Sequence, residues 1–308
     1  MATAYTFDGT RLRELDWQPH RTLRWLTWRP DGGGLLGVGN GGYAALSDGR
    51  RLEAVETHTR QNLRGAAWSA DGAGALLVGN RGLVLRLRGE AVEEVASPTS
   101  ENLRRVAWHP SGAYALVVGN GGTVLHYDAR GGLLTALPGD RAHTLRSVAF
   151  RPDGAYAVIG AYASRFAGYP KPHPLYRCDG RFLQSFLATE DEDDLVSVDW
   201  SASSQALICG YAWLQDGTLV NKALLFDGSA WQTVRWPSKG IVLGGAWRPG
   251  HDDALMVGEG GLLMRLKANG ALEPLTSTTT DNLIGPFWRP DGSECLMLKG
   301  PDEKVYTV

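Results

Sequence analysis

A motif of about forty residues recurs seven times along the 308-residue chain, and a repeat of this length points to a repeat architecture. The first copy reads LRWLTWRPDGGGLLGVGNGG, and every copy ends its first apolar run on a large aromatic residue. These anchor aromatics are Trp28, Trp68, Trp108, Phe150, Trp200, Trp247 and Trp288, separated by 40, 40, 42, 50, 47 and 41 residues. No domain boundary interrupts the series, so we expect one domain over residues 1–308.

Each copy divides into four short runs separated by turn residues. In the third copy the runs are LRRVAW, YALVVGN, TVLHYD and LLTAL, named here strands a to d. Glycine, at 40 of 308 residues, is abundant enough to supply the turns between them. Four-stranded sheets at this spacing are typical of propeller blades, since each sheet buries its faces against two neighbours. The sequence therefore predicts an all-β fold, a seven-bladed β-propeller with four-stranded antiparallel blades.

The last repeat is incomplete, so the ring needs strands from the other end of the chain. After strands a and b of this repeat, KVYTV at 304–308 is a candidate for strand c, and no residues follow that could form strand d. RLREL at 11–15 is expected to supply strand d and to close the ring without a covalent link. Residues 3–8 also match the pattern of strand c and compete with 304–308 for that place. The sequence alone leaves this choice open.

Composition excludes several classes of function. The 31 basic and 33 acidic residues nearly balance, which argues against binding of nucleic acid by the whole domain. The chain has no secretory signal pattern and no apolar stretch of membrane-spanning length, so we expect a cytoplasmic protein that does not bind membranes. Cys178, Cys209 and Cys295 share no metal-binding or disulfide spacing, and we expect them to be buried apolar filler.

Three motifs carry a resemblance to a known family. The Trp-x-Pro-Asp-Gly turn, the xALxVGNGGT run and the Asp-Gly end of strand c resemble the bacterial and archaeal WD-repeat-like propellers of the YVTN type, over essentially the whole chain. Strand c lacks the Trp-Asp ending, and no Gly-His precedes strand a, so the hydrogen-bond tetrad of eukaryotic WD repeats is not expected. The resemblance implies a scaffold that binds proteins or peptides on the face of the d–a and b–c loops. It implies no catalytic residues.

The start of strand a carries arginine in four consecutive repeats. Four residues before each anchor stand Arg24, Arg64, Arg104 and Arg146, followed by Val196, Leu243 and Ile284 in the last three repeats. Residues 1–151 also hold 18 Arg against 14 acidic residues. The arginines could pair between blades, with Glu101, Asp140 or loop carbonyls, or could form an anion site for an acidic partner segment. We call these four residues the arginine arc.

Two positions earlier stands a ring of mostly polar residues, which supports an alternative function. Asn62, Asn102, Asp194 and Asn282 could cap the entry to strand a or could hold a divalent cation at the channel mouth. The second interpretation would suit a lyase- or lactonase-like enzyme or a sugar-binding propeller. With one carboxylate, however, the ring would hold calcium weakly, and no catalytic motif accompanies it. We therefore expect no metal and no cofactor.

The largest departures from the repeat are long b–c segments in the fourth and fifth copies. They contain the aromatic and cationic residues that dominate protein interfaces: Tyr162, Arg165, Phe166, Tyr169, Lys171, His173, Tyr211 and Trp213. The two segments could instead pack on each other as a structural flap. The sequence favours a non-enzymatic scaffold that grips a protein or peptide with these segments and the arginine arc.

Overall fold

A computed structural model describes residues 3–49, 51–138, 143–162, 174–188, 192–237 and 240–301. Every strand pairing among these residues is antiparallel, and helical structure in these ranges is limited to three short 3-10 turns. None of these turns is long or apolar enough to cross a bilayer. The structure confirms the predicted seven-bladed β-propeller.

The chain enters through two strands and then builds blades one to three. The first two strands are β1 (Ala4–Phe7) and β2 (Leu12–Leu15). Blade one comprises β3 (Leu23–Trp28), β4 (Leu35–Gly39), β5 (Ala44–Ser47) and β6 (Leu52–Val55). Blade two comprises β7 (Leu63–Trp68), β8 (Gly74–Gly79), β9 (Val84–Arg88) and β10 (Ala91–Glu94). Blade three comprises β11 (Leu103–Trp108), β12 (Tyr114–Gly119), β13 (Val124–Asp128) and β14 (Leu133–Ala136).

Blades four to six follow the same order. Blade four comprises β15 (Thr144–Phe150), β16 (Ala157–Tyr162), β17 (Pro174–Cys178) and β18 (Leu183–Ala188). Blade five comprises β19 (Glu192–Trp200), β20 (Ala206–Trp213), β21 (Leu219–Phe226) and β22 (Trp231–Pro237). Blade six comprises β23 (Val242–Trp247), β24 (Asp253–Gly258), β25 (Leu263–Lys267) and β26 (Leu272–Pro274). The inner strands β19, β20 and β21 make blade five the longest.

Blade seven combines both ends of the chain. Its inner strands are β27 (Leu283–Trp288) and β28 (Cys295–Lys299), and its outer strands are β1 and β2. Ala4 pairs with Leu298 on one side and with Leu15 on the other. Strand d therefore comes from RLREL, as predicted. Residues 4–7 take the place of strand c, so of the two candidates that the sequence left open the structure selects residues 3–8, and residues 304–308 lie outside the described residues.

Four of the six anchor tryptophans hydrogen-bond to a neighbouring blade as well as filling the space between blades. Trp68 Nε1 donates to the carbonyl of Thr27 (3.2 Å), and Trp108 Nε1 donates to that of Ala67 (3.1 Å), in each case one blade back. Trp28 Nε1 donates to the carbonyl of Phe287 (3.1 Å) and so joins blade one to blade seven. The seven strands a thereby form the wall of a central channel.

The turns between strands b and c are three-residue 3-10 turns in blades one, two and six. In blade one, Gly42 has φ of +77°, and a Cβ there would lie 2.0 Å from the carbonyl oxygen of Thr59. Thr59 belongs to the segment that enters blade two. Glycine is thus required where the turn of one blade meets the entry loop of the next.

Candidate binding site at the channel mouth

Each strand a has a β-bulge near its start, and the arginine arc occupies that bulge. The pairing register skips Arg24 in blade one, Arg64 in blade two, Arg104 in blade three and Arg146 in blade four. The same irregularity leaves Val196 and Leu243 unpaired in blades five and six. Because a bulge turns the extra side chain away from the regular alternation, the four arginines emerge in the same way at the channel mouth.

An asparagine of the same blade holds three of the four arginines of the arc in place. Arg64 Nε donates to Asn80 Oδ1 (2.5 Å), and Arg104 Nε donates to Asn120 Oδ1 (2.8 Å). Arg24 Nε makes the equivalent bond to Asn40. Arg64 therefore uses Asn80 in the b–c turn, not the acidic side chains expected for inter-blade pairing. These bonds hold the guanidinium groups in fixed positions before any ligand arrives.

Arg105, which the sequence analysis did not single out, lies deeper in the channel. Its guanidinium stacks on the ring of Trp25, 3.8 Å from the centroid, and its Nη1 donates to the carbonyls of Arg64 (2.7 Å) and Arg104 (2.8 Å). Trp25 in turn donates to the carbonyl of Ala66 (3.1 Å). Arg105 thus reaches from blade three across blade two to blade one. A comparison across the repeats of the residue that follows each bulge would have singled out Arg105.

The positive charges of these arginines act on one another. Burial, together with the smaller effects of the charges of Arg146, Arg104 and Arg64, lowers the pKa of Arg105 to about 9. Burial also lowers the pKa of Arg64, with additional contributions from the charges of Arg24 and Arg146. Like charges act on each other in this way only when they lie close together. The arginine arc and Arg105 therefore form one cationic cluster, drawn from four blades.

The polar ring of the alternative function is engaged in contacts between blades. The side-chain oxygens of Asn62, Asn102 and Asn282 accept hydrogen bonds from backbone N–H groups in the b–c turn of the preceding blade, at 2.8, 3.1 and 3.1 Å. Asp194 is 4% exposed and accepts a hydrogen bond from Tyr211 Oη (2.5 Å). In the described part of the chain no group of three His, Cys, Asp or Glu residues could hold a metal ion. These contacts give the ring a structural role.

The long segment of blade five is an extended hairpin. Its strands β20 and β21 continue pairing up to Trp213 and Leu219, and a bridge between Tyr162 and Asp194 joins the hairpin region to blade four. Tyr211 is 1% exposed and packs with Val196, so it supports the hairpin and offers no surface to a partner. Trp213 is half-buried.

Most of the candidate residues of blade four lie outside the described residues. Tyr162 is the last residue of β16. Arg165, Phe166, Tyr169, Lys171 and His173 lie outside the described residues. The structure therefore brings the arginine arc together with the hairpin of blade five on one face, and the blade-four segment stays a prediction.

A pocket of about 530 Å³ opens on this face between blades seven and one. Arg21 and Arg24 line it together with Ile284, Pro19 and Pro301. Ile284 occupies the blade-seven position that corresponds to the arginine arc. At the position of the arc, the mouth therefore carries arginine over blades one to four and an aliphatic residue over blades five to seven.

A buried carboxyl lies between blades five and six. Asp199 Oδ2 accepts a hydrogen bond from the backbone N–H of Trp247 (2.7 Å), and burial raises the pKa of Asp199 to about 7. No arginine contributes to this shift, so Asp199 does not neutralise the cationic cluster. Solvent partly reaches the residue, which moderates the cost of its ionisation.

Replacement of Asp199 by Asn should remove a pH dependence of stability. Because the folded pKa is raised from 3.8 to about 7, the free energy of unfolding of the native protein should fall as the pH rises through that interval. Asn keeps an acceptor for Trp247 and cannot ionise. Asp199→Asn should therefore be more stable than the native protein by about 1–2 kcal/mol at pH 8 and no more stable at pH 4. Urea unfolding at both pH values measures this, and an equal difference at pH 4 and pH 8 would contradict it.

Comparisons with known proteins identify the fold only. No protein-family model matches the chain, and none of the curated proteins matches its sequence. Among solved structures 1398 chains match, including the β-propeller domain of Cps50 (Swd1) from Myceliophteria thermophila. The alignment covers 97% of this chain and 100% of that domain, with a TM-score of 0.66 and 11% sequence identity. At this identity the similarity shows a shared propeller fold, and a fold alone does not specify a ligand.

Proposed function

We propose that the protein is a non-catalytic scaffold that binds an acidic protein or peptide segment on the face of the d–a and b–c loops. The observation that carries this proposal is the arginine arc, in which four successive blades present arginine at the same bulge. In three of them the described structure fixes Nε on a turn asparagine. A repeat protein can form this bulge with any side chain, as Val196 and Leu243 demonstrate, so folding does not require the arginines.

The neighbouring surface suits the other side chains of such a segment. The aliphatic half of the mouth, with Leu243 and Ile284 half-buried, would accept apolar residues next to the acidic ones. Trp213 stands on the extended hairpin of blade five beside this half, and tryptophan is a frequent interface anchor. The segment would therefore place its acidic residues over blades one to four and its aliphatic residues over blades five to seven.

Two broader assignments accompany this proposal. The turn motifs support membership of the bacterial and archaeal WD-repeat-like propellers of the YVTN type, with residues 1–308 as one domain. The three cysteines are buried and free, which is compatible with a cytoplasmic location.

Charge reversal in the arc tests the proposed function. On an array of peptides that differ in charge and apolar content, the protein should select acidic peptides with aliphatic residues. Arg64→Glu and Arg104→Glu should each weaken binding of a selected peptide by about tenfold or more, with the larger loss at low salt, because rim charges are screened by ions. Trp213→Ala should weaken it by about 2 kcal/mol. Fluorescence anisotropy with the labelled peptide measures all three affinities.

Arg88→Glu is the matched control, because Arg88 is exposed on β9 of blade two and lies outside the arc. It should bind like the native protein. Selection of basic or uncharged peptides, or equal losses in Arg64→Glu and Arg88→Glu, would overturn the proposed function.

A further inference from the structure

The arginines of the channel differ from those of the outer surface in their partners. On the surface, Arg29 pairs with Asp31 (2.8 Å) and Arg86 with Glu93 (2.6 Å). Four further arginines pair with a carboxylate in the same way: Arg13, Arg151, Arg265 and Arg289. Within the described ranges no carboxylate pairs with Arg24, Arg64 or Arg105. Their bonds go to a side-chain amide or to backbone carbonyls, which carry no full negative charge.

This arrangement concentrates positive charge where water has restricted access. Arg105 and Arg64 both have a depressed pKa because of burial and of neighbouring arginines. The free protein therefore carries a repulsion between like charges that the surface arginines avoid. A guanidinium group stays protonated at neutral pH even with such a shift, so the repulsion persists. An anion bound among these groups would offset it.

The cluster is also rigid. Stacking on Trp25 and two bonds to carbonyls hold Arg105, while Asn40, Asn80 and Asn120 hold the arginines above it. Gly65 of blade two adds no side chain beneath Arg105, and a Cβ there would lie 2.8 Å from the carbonyl oxygen of Arg104. Glycine at position 65 therefore leaves room for the Arg105 side chain where that side chain crosses blade two.

We propose that Arg24, Arg64, Arg104 and Arg105 hold a small multivalent oxyanion of the phosphate class inside the channel mouth. Guanidinium forks match phosphate oxygens in pairs, and a phosphate group offers oxygens in several directions at once, whereas a single carboxylate offers two in one plane. Arg24, Arg64 and Arg105, which pair with no described carboxylate, come from three blades and together call for more than one negative charge. The site shares Arg24, Arg64 and Arg104 with the proposed peptide surface but requires no peptide.

Sodium tripolyphosphate in a phosphate-free buffer is the probe for this site. Isothermal titration should show one tripolyphosphate bound per chain, and the thermal midpoint should rise in about 1 mM probe above its value in sodium chloride of equal ionic strength. Arg64→Gln should weaken the affinity by about tenfold or more. The same variant should melt in the absence of anion at or above the native midpoint, because it removes one of the repelling charges.

Two further variants separate this site from general attraction to a basic surface. Arg88→Gln removes an exposed arginine of the same blade and should bind tripolyphosphate like the native protein. Arg105→Lys keeps the charge without the planar fork and should bind more weakly. The proposal is overturned if the native midpoint does not exceed that in sodium chloride, if several equivalents bind, or if Arg64→Gln and Arg88→Gln lose affinity equally.

The same titration separates this inference from the proposed function. Peptide binding is measured without added phosphate, so a protein that binds acidic peptides but no tripolyphosphate would overturn the oxyanion site alone. A protein that binds tripolyphosphate and no acidic peptide would overturn the scaffold function alone. Displacement of tripolyphosphate by a selected peptide would show that both ligands use the shared arginines.

Discussion

Deletion of residues 1–16 is expected to abolish cooperative folding of the propeller. The deletion removes β1 and β2, which form the outer half of blade seven, and leaves the edge of β28 unpaired. It also removes Tyr5 and Phe7, each 1% exposed, from the core between blades six and seven. Loss of one such aromatic side chain costs about 3–5 kcal/mol, so losing two strands and both rings exceeds the stability of a typical domain. Circular dichroism during urea unfolding should show no sharp transition.

Point variants separate the loss of packing from the loss of the strands. Phe7→Ala should lower the free energy of unfolding by about 3–5 kcal/mol and keep a cooperative transition. Arg13→Ala removes an exposed side chain of β2 whose pairing with Asp8 (3.2 Å) is also exposed, and it should change stability by less than about 1 kcal/mol. If the truncated protein unfolded at the native urea midpoint, β1 and β2 would not close the ring.

Tyr211→Ala should destabilise the protein by about 3–5 kcal/mol, whereas Trp213→Ala should cost far less. Tyr211 lies buried in a small cluster with Val196 and Ile241 at the base of the blade-five hairpin, and Trp213 is half-buried near its tip. Tyr211→Phe keeps the packing but removes the hydroxyl donor to Asp194, which should cost about 1–3 kcal/mol. Urea unfolding of the three variants measures these differences.

The stabilities and peptide affinities of these variants also show whether the hairpin is a structural flap or part of the interface. A large loss of stability in Trp213→Ala, with native peptide affinity, would make the hairpin a structural flap. A small loss of stability together with weakened peptide binding is the result expected for an interface anchor. Tyr211→Ala alone cannot distinguish these outcomes, because it disturbs the base on which Trp213 stands.

The blade count and the strands of each blade were predictable from the sequence. Alternation of apolar residues and the placement of Gly, Pro and Asn are local properties, and seven similar copies reinforce each other, so the anchors Trp28 to Trp288 identified one strand a per blade. The arginine arc followed from the same alignment. The position of the arginine arc at a bulge could not be predicted from the sequence. The bulge depends on hydrogen bonding between strands a and b and produces no residue pattern of its own.

Tertiary structure decided the features that depend on contacts between blades. Residues 4–7 and 304–308 have the same local pattern, and only pairing with β28 and burial of Phe7 distinguish residues 4–7 as strand c. Tyr211 looked like part of an exposed loop because it lies beyond the repeat, yet continued pairing with β21 buries it. Arg105 resembled an ordinary strand residue until the ring brought Trp25 beneath it. In each case the deciding partner lies far away along the chain, and local sequence patterns report only on near neighbours.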